Sequence, residues 1–398
     1  MKIRSITYFC NPKYSLDEEV IQQASEFLAK ARSTYEAVGY EVQTVRMATV
    51  PFPKMLGEKQ INDLPKYAEQ VAKIIEQVNV GYISLGPALP ESPQSYQVIP
   101  EAIAASQNVF FGGVMADDRI HLDAIRACAE VIVKSAPIDS NGFANLRFTA
   151  LANVKPGAPF FPAAYHDGDN PAFAIATEAA DLAVSTFQEA KTLDHGRQRL
   201  IAEIEKHGKQ LNAVAKMLDC KFGGIDFSLA PFPDDAHSLG GAVEKMGVPK
   251  IGLHGSLAAA AILTEAVDRA DFPHTGFSGF MQPVLEDSVL AQRAAEGTLT
   301  IKDLLLYSTV CGTGLDTVPL PGDTTADQIV PLLFDLSALA LRLDKPLTAR
   351  LMPVPGKKAG DPTTFDFGFF ANSKVMALES EPLSSPLGGN EVFQIQKR

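Results

Sequence analysis

Most of the residues of this 398-residue chain that are equipped for chemistry collect in its second half, in short turns rich in glycine, serine, histidine and aspartate. In Gly223-Gly-Ile-Asp226-Phe-Ser228, one aromatic residue separates Asp226 from Ser228, so on an extended chain both point to the same side. A carboxylate and a hydroxyl at a strand end suit metal or substrate binding, or proton transfer; their competing role is to cap the next turn. Gly252-Leu-His254-Gly255-Ser256 sets an imidazole just before an alanine-rich helical pattern over residues 257–267. That placement suits an acid–base group, a ligand or an anion site, against the plainer reading of a core histidine with Ser256 capping the helix. Cys311-Gly-Thr-Gly314-Leu-Asp316 joins a thiol to a carboxylate across two glycines that permit a sharp turn; Cys311 is then a nucleophile or an inert buried thiol. His166 lies in Tyr165-His166-Asp167, inside a loop over residues 155–169 that is long for a simple connection. Glu286 and Asp287 either complete an acidic cluster or open a helix with charge favourable to its dipole. The remaining histidines, at 121, 195, 207, 237 and 274, read as structural or exposed.

Common signatures are missing. There is no G-x-x-x-x-G-K-S/T, no H-E-x-x-H and no G-x-S-x-G, and Gly312-Thr-Gly314 lacks the third glycine of a dinucleotide fingerprint. Cys10, Cys128, Cys220 and Cys311 form no C-x-x-C pair, so neither a disulfide framework nor a cysteine zinc site is indicated. The cofactor and any metal are therefore left open.

The elements that must position these residues alternate between strand and helix. Residues 2–9 read as a strand, followed by an amphipathic helix with Ser15 and Glu18 as a capping box and an apolar stripe from Leu16 to Val38. Strands near 41–45, 80–85 and 109–114, with helices after Pro65, after Pro100 and over 118–134, continue the β-α order of a parallel sheet. Residues 145–154 read as a strand, the apolar run 170–187 as a buried helix, and 194–218 as a second helix. Thr325 and Gln328 form a capping box before a helix to Leu341, and residues 347–354 with 365–370 read as a closing hairpin. The economical organisation is one large α/β domain over 1–398, with an N-terminal lobe 1–150 and a site-bearing part 151–398.

Composition bounds the function. With 46% hydrophobic and 21% charged residues the chain is globular, and 35 basic against 47 acidic residues give a net charge of −12. Such a surface repels phosphate backbones, so nucleic acid is not the expected partner. No apolar stretch is long enough for a membrane span and residues 1–8 lead into a strand, so the expectation is a cytoplasmic protein, by default a homodimer, acting on a small molecule.

In order along the chain stand Ala164-Tyr-His166, Asp226-Phe-Ser-Leu-Ala-Pro231, His254-Gly255, Ser278-Gly279, Pro283-Val with Glu286-Asp287, and Cys311 with Gly314-Leu-Asp316. On them the chain resembles the domain-of-unknown-function 711 family of bacteria and archaea, most specifically from Ala150 onward. The resemblance implies an α/β barrel similar to that of pyruvate formate-lyase and other glycyl radical enzymes, with a central loop inside it. It does not imply their reaction, because Gly368 and Gly388-Gly389 do not fit the glycyl radical motif. The expected activity is an enzyme working on a small polar metabolite in a barrel-mouth pocket. Asp226 and His254 would act as acid–base groups or metal ligands with Cys311 beside them. His166, Ser228, Ser278 and Glu286 would hold substrate and Asp316 would support the site. The alternative is a non-catalytic metabolite sensor.

Overall fold

The computed structural model describes residues 1–168 and 170–398; Asp169, the last residue of the predicted loop, lies outside them. The β-branched and aromatic runs become eleven strands: β1 Lys2–Cys10, β2 Val42–Thr49, β3 Tyr82–Ala88, β4 Val109–Ala116, β5 Ile120–His121, β6 Phe148–Ala152, β7 Ala172–Glu178, β8 Lys221–Asp226, β9 Gly314–Pro321, β10 Leu347–Val354 and β11 Val392–Phe393. They form one sheet in the order β8-β7-β1-β2-β3-β4-β6-β10-β9, with β5 and β11 branching from β4. In its middle β1, β2, β3, β4 and β6 are mutually parallel, each step bridged by a helical crossover. β7 with β8, and β10 with β9, run antiparallel to this middle and parallel within each pair.

The two outer strands do not end in open edges. Segment 273–284 runs between them, with parallel bridges Ile225 to His274, Ser228 to Gly279 and Pro283 to Asp316. Ile225 N donates to Pro273 O at 2.7 Å, Leu229 N to Gly279 O at 2.9 Å and Val284 N to Asp316 O at 3.0 Å. Main-chain hydrogen bonds thus continue from β8 through this strap to β9, satisfying edge groups that would otherwise be exposed.

Helices pack on the outer face. Glu18–Ala37 buries Ile21, Ala24, Leu28, Ala31 and Tyr35, the helical stripe read from the sequence. The inner face is lined by smaller aromatic clusters, among them Phe9, Phe110 and Phe161. Into it dips loop 155–168, burying Phe160 and Phe161. It is tied to the sheet by Thr7 Oγ1 donating to Pro159 O at 2.9 Å and Ser84 Oγ donating to Ala164 O at 2.7 Å.

Three local expectations are corrected. The apolar run 170–187 is strand β7 followed by the helix Ala180–Glu189: β7 is buried on both faces, so its residues lack the alternation that would mark a strand. Residues 365–370 do not pair with β10, whose partners are β6 and β9; their phenylalanines instead pack with Phe143 and Met352 in a separate apolar cluster. The first long helix begins at Glu18 itself, too late for Ser15 to close a capping box. The box at Thr325 and Gln328 is present. No described helix is long and apolar enough to cross a membrane.

Candidate functional site

The inner face of the sheet borders a partly open cavity of about 90 Å³ whose walls come from β1, β2, β3, β4, β6, β9, β10, the strap and the inserted loop. Its charged groups arrive from distant parts of the chain. Arg4 is on β1, Arg46 on β2 and Arg350 on β10, while Glu286 follows the strap and Asp316 is on β9.

Strand alternation directs most of them. Thr44 and Arg46 share the inner face of β2 with Ala48, and Thr348 and Arg350 share that of β10. Arg4 and Asp316 need more. Ile3 pairs with Thr177 and Ser5 with Ala176, so Arg4 is skipped in the β1–β7 register. Because Thr7 and Phe9 face inward, strict alternation would drive Ile3 inward and leave Arg4 outside; the bulge turns Arg4 into the cavity. Between β9 and β10 the pairs Leu315 with Ala349 and Val318 with Leu351 leave one extra residue on β9, where Thr317 takes φ 43° and Asp316 turns inward.

The result is a chain of ion pairs. Arg350 Nε donates to Asp316 Oδ1 at 2.6 Å and its Nη2 to Glu286 Oε1 at 2.7 Å, while Arg4 holds the other oxygen of Glu286 and, at 3.1 Å, Glu178. Gln43 Nε2 also donates to Glu178 at 2.9 Å. Burial would raise the carboxyl of Glu286, but Arg4, Arg350 and Arg46 outweigh it and hold Glu286 below the ordinary range. For Asp316, burial prevails over Arg350, and the neighbouring charge of Glu286 pushes the same way, so its pKa lies above the ordinary range. One arginine therefore bridges two carboxylates with opposite proton affinities, the arrangement that separates acid from base roles.

Arg46 stands apart. It makes no ion pair with a described residue; its Nε donates to Thr44 Oγ1 at 2.8 Å, and its guanidinium lies 5.7 Å from the ring centre of Tyr82 and 5.1 Å from that of Phe161. Burial and the nearby Arg4 and Arg350 depress it to about 9, which leaves it charged at neutral pH. Two residues of the same walls, Thr149 and Thr313, have buried hydroxyls with no hydrogen-bond partner among the described residues. Each such unmade bond costs about 1–3 kcal/mol.

Of the residues singled out from the sequence, Glu286 and Asp316 line this cavity and share Arg350. Asp226 and Ser228 do meet, Ser228 Oγ donating to Asp226 Oδ1 at 2.6 Å, but they serve the strap: Asp226 also accepts from Phe277 N at 2.6 Å and Ser278 N at 2.8 Å. Ser278, at φ 37°, accepts from Phe227 N at 3.1 Å. Cys311 is buried, its Sγ accepting from Gly314 N at 3.2 Å, and it borders an outer hollow with Ser278 and Lys345. His254 is exposed on the turn before the helix Ser256–Arg269. His166, 3.4 Å from Asp167 through Nδ1, borders a different hollow beside Val50 and Pro51. Asp287 caps the helix Ser288–Glu296, accepting from Val289 N and Leu290 N. Among the described residues no group of three or more His, Cys, Asp or Glu is placed to hold a metal. Arg4, Arg46, Arg350 and Glu178 escaped the sequence reading; a lone charge inside an apolar strand, as at 350 in Leu347–Val354, is the signal that marks them.

The family model described as "Uncharacterised ACR (DUF711)" matches residues 1–372. The chain belongs to this family. Its curated relatives include a UPF0210 protein of Pyrobaculum aerophilum, 32% identical over 91% of this chain and 87% of the relative. One of Methanopyrus kandleri is 30% identical over 86% and 81%, and one of Acetivibrio thermocellus 28% identical over 91% and 85%. The DUF711 match begins at residue 1 and so takes in Arg4 and Arg46 on the N-terminal strands as well as the motif-rich second half.

Proposed function

We propose that this DUF711 protein is an enzyme that binds a small carboxylate in the interior cavity, with Arg46 receiving the carboxylate and Asp316 transferring a proton. The observation that carries the reading is Arg46: a buried guanidinium on a cavity wall, braced by two aromatic faces and unpaired with any described carboxylate. A planar guanidinium in a dry site favours bidentate capture of a carboxylate. Asp316, protonated further up the pH scale than an exposed aspartate, donates a proton to one atom of the bound substrate and is reprotonated by the proton that leaves another, so that the substrate is isomerised and the carboxyl group returns to its starting state. Glu286 stays ionised and keeps Arg4 and Arg350 in place. The acid–base role expected of Asp226 and His254 passes to Asp316, since Asp226 spends its oxygens on the strap and His254 faces solvent.

The strand arrangement supports a barrel of the pyruvate formate-lyase-like kind. Five parallel strands are joined to β7, β8, the strap, β9 and β10, which run the other way, and loop 155–168 packs against the inner face. Fold likeness carries no reaction with it.

The test is a thermal-shift screen of the parent, Arg46→Gln and Asp316→Asn against carboxylates of one to three carbons, with turnover followed by NMR. Stabilisation lost in Arg46→Gln and turnover lost in Asp316→Asn are expected. A ligand returned unchanged would make the protein a sensor. No stabilisation of the parent, or an equal response from Arg46→Gln, would reject the site.

A further inference from the structure

Resting on the carboxylate reading, we infer that the ligand is a monoanion with an apolar body, and that Phe367 and Phe369 at the rim of the cavity grip that body. The charges of the cavity admit one anionic group. Arg4 holds Glu178 and Glu286, and Arg350 holds Glu286 and Asp316, so both guanidiniums spend their charge on carboxylates of the chain. Arg46 differs: neither Nη1 nor Nη2 bonds to a described residue and neither is sealed from the surface, so both are open on the cavity that Arg46 lines. A second carboxylate on the ligand would find no such partner, and would meet either Glu286, held ionised by its arginines, or aromatic walls that solvate a charge poorly.

Most of the remaining lining is apolar. Phe277 and Met281 come from the strap, Phe160 from the inserted loop and Leu146 from the turn before β6. Phe367 and Phe369 complete it from a turn whose base is fixed: Phe365 N donates to Asn372 Oδ1 at 2.8 Å, Asn372 Nδ2 to Phe365 O at 3.0 Å and Ala371 N to Leu285 O at 2.7 Å. Within this turn Phe365 and Phe370 are buried, while Phe367 and Phe369 are half-buried and line the cavity. Their rings lie 5.3 Å apart, and each leans on a further ring, Phe143 at 5.1 Å from Phe367 and Phe232 at 5.7 Å from Phe369. The two side chains are thereby held in place with part of their surface still open.

Depth orders these groups. Arg46 is almost wholly buried, whereas Phe367 and Phe369 belong to the part of the lining that keeps exposed surface, so they mark the opening. A ligand with its carboxylate on Arg46 directs its other end toward the phenylalanines. An alkyl chain gains there by leaving water, and a charged end gives up hydration.

The experiment is calorimetric titration of the full chain at pH 7 with acetate, valerate and glutarate, the last two matched in carbon number. The parent is expected to bind valerate at least about tenfold more tightly than either acetate, which lacks the chain, or glutarate, which ends it in a second charge. Phe367→Ala and Phe369→Ala are expected to shrink the preference for valerate over acetate to within about threefold. Acetate binding at the parent's strength in these variants would show that the cavity is intact, and Phe367→Leu, which keeps an apolar side chain, is expected to retain the preference. The parent alone is decisive if an alanine variant does not fold: valerate no tighter than acetate, or glutarate as tight as valerate, would overturn the inference and leave the carboxylate site standing. An unchanged preference in both alanine variants would overturn the role of the two phenylalanines, and no binding of any acid would overturn both readings.

Discussion

Asp226 holds its proton to a higher pH than an exposed aspartate, because burial, opposed by the Ser228 hydroxyl and two backbone N–H groups, pushes it up to about 6. Between the ordinary aspartate range and pH 6 the folded chain therefore keeps a proton that the unfolded chain has released. That contribution to stability is complete below the unfolded value and is lost as pH rises through the folded one. The unfolding free energy of the parent minus that of Asp226→Asn is expected to fall by about 2 kcal/mol between pH 4 and pH 6, and by about 3 kcal/mol in all before it levels off above about pH 7. Urea denaturation at fixed pH steps checks this, and a difference that stayed flat or rose would refute it. At this scale the sequence revealed one contact and concealed most of the site. Asp226 and Ser228 meet because alternation along a strand is local. Arg4, Arg46 and Arg350 are separated by dozens to hundreds of positions, and no spacing rule joins them to Glu286.

Turns and bulges, more than regular strands, decide what the elements present to the cavity. The strap closes the sheet only because Gly276 lets it lie against Asp226: at φ 63° a Cβ on residue 276 would stand 2.1 Å from Asp226 Oδ2. Gly276→Ala is expected to cost about 2–3 kcal/mol and to expose the amides of residues 225 and 229 to hydrogen exchange. Gly368→Ala, where an added Cβ meets nothing within 4 Å, should stay within about 0.5 kcal/mol of the parent. Equal stability of the two variants would show that the strap contributes nothing. The long amphipathic helices and the box at Thr325 were readable because helical period and cap chemistry lie within a few residues. β7 was not, since a strand buried on both faces has the same composition as a buried helix.

For the whole molecule, a homodimer remains the proposal, symmetric pairs being the commonest assemblies. Light scattering should return twice 42.7 kDa at working concentration, and a mass of one chain would refute it. Mixed α/β character, β-α alternation and a net charge of −12 all follow from properties that add up along the chain: periodicity, turn residues and composition. DUF711 membership was legible too, because ordered motifs are a property of sequence alone. The meeting of β8 with β9 through residues 273–284 was not legible, and neither was the gathering of five charged groups around one cavity. Both depend on strand order and on single-residue bulges at Arg4 and Asp316, which reverse the face a side chain takes without leaving a mark in the hydrophobic pattern.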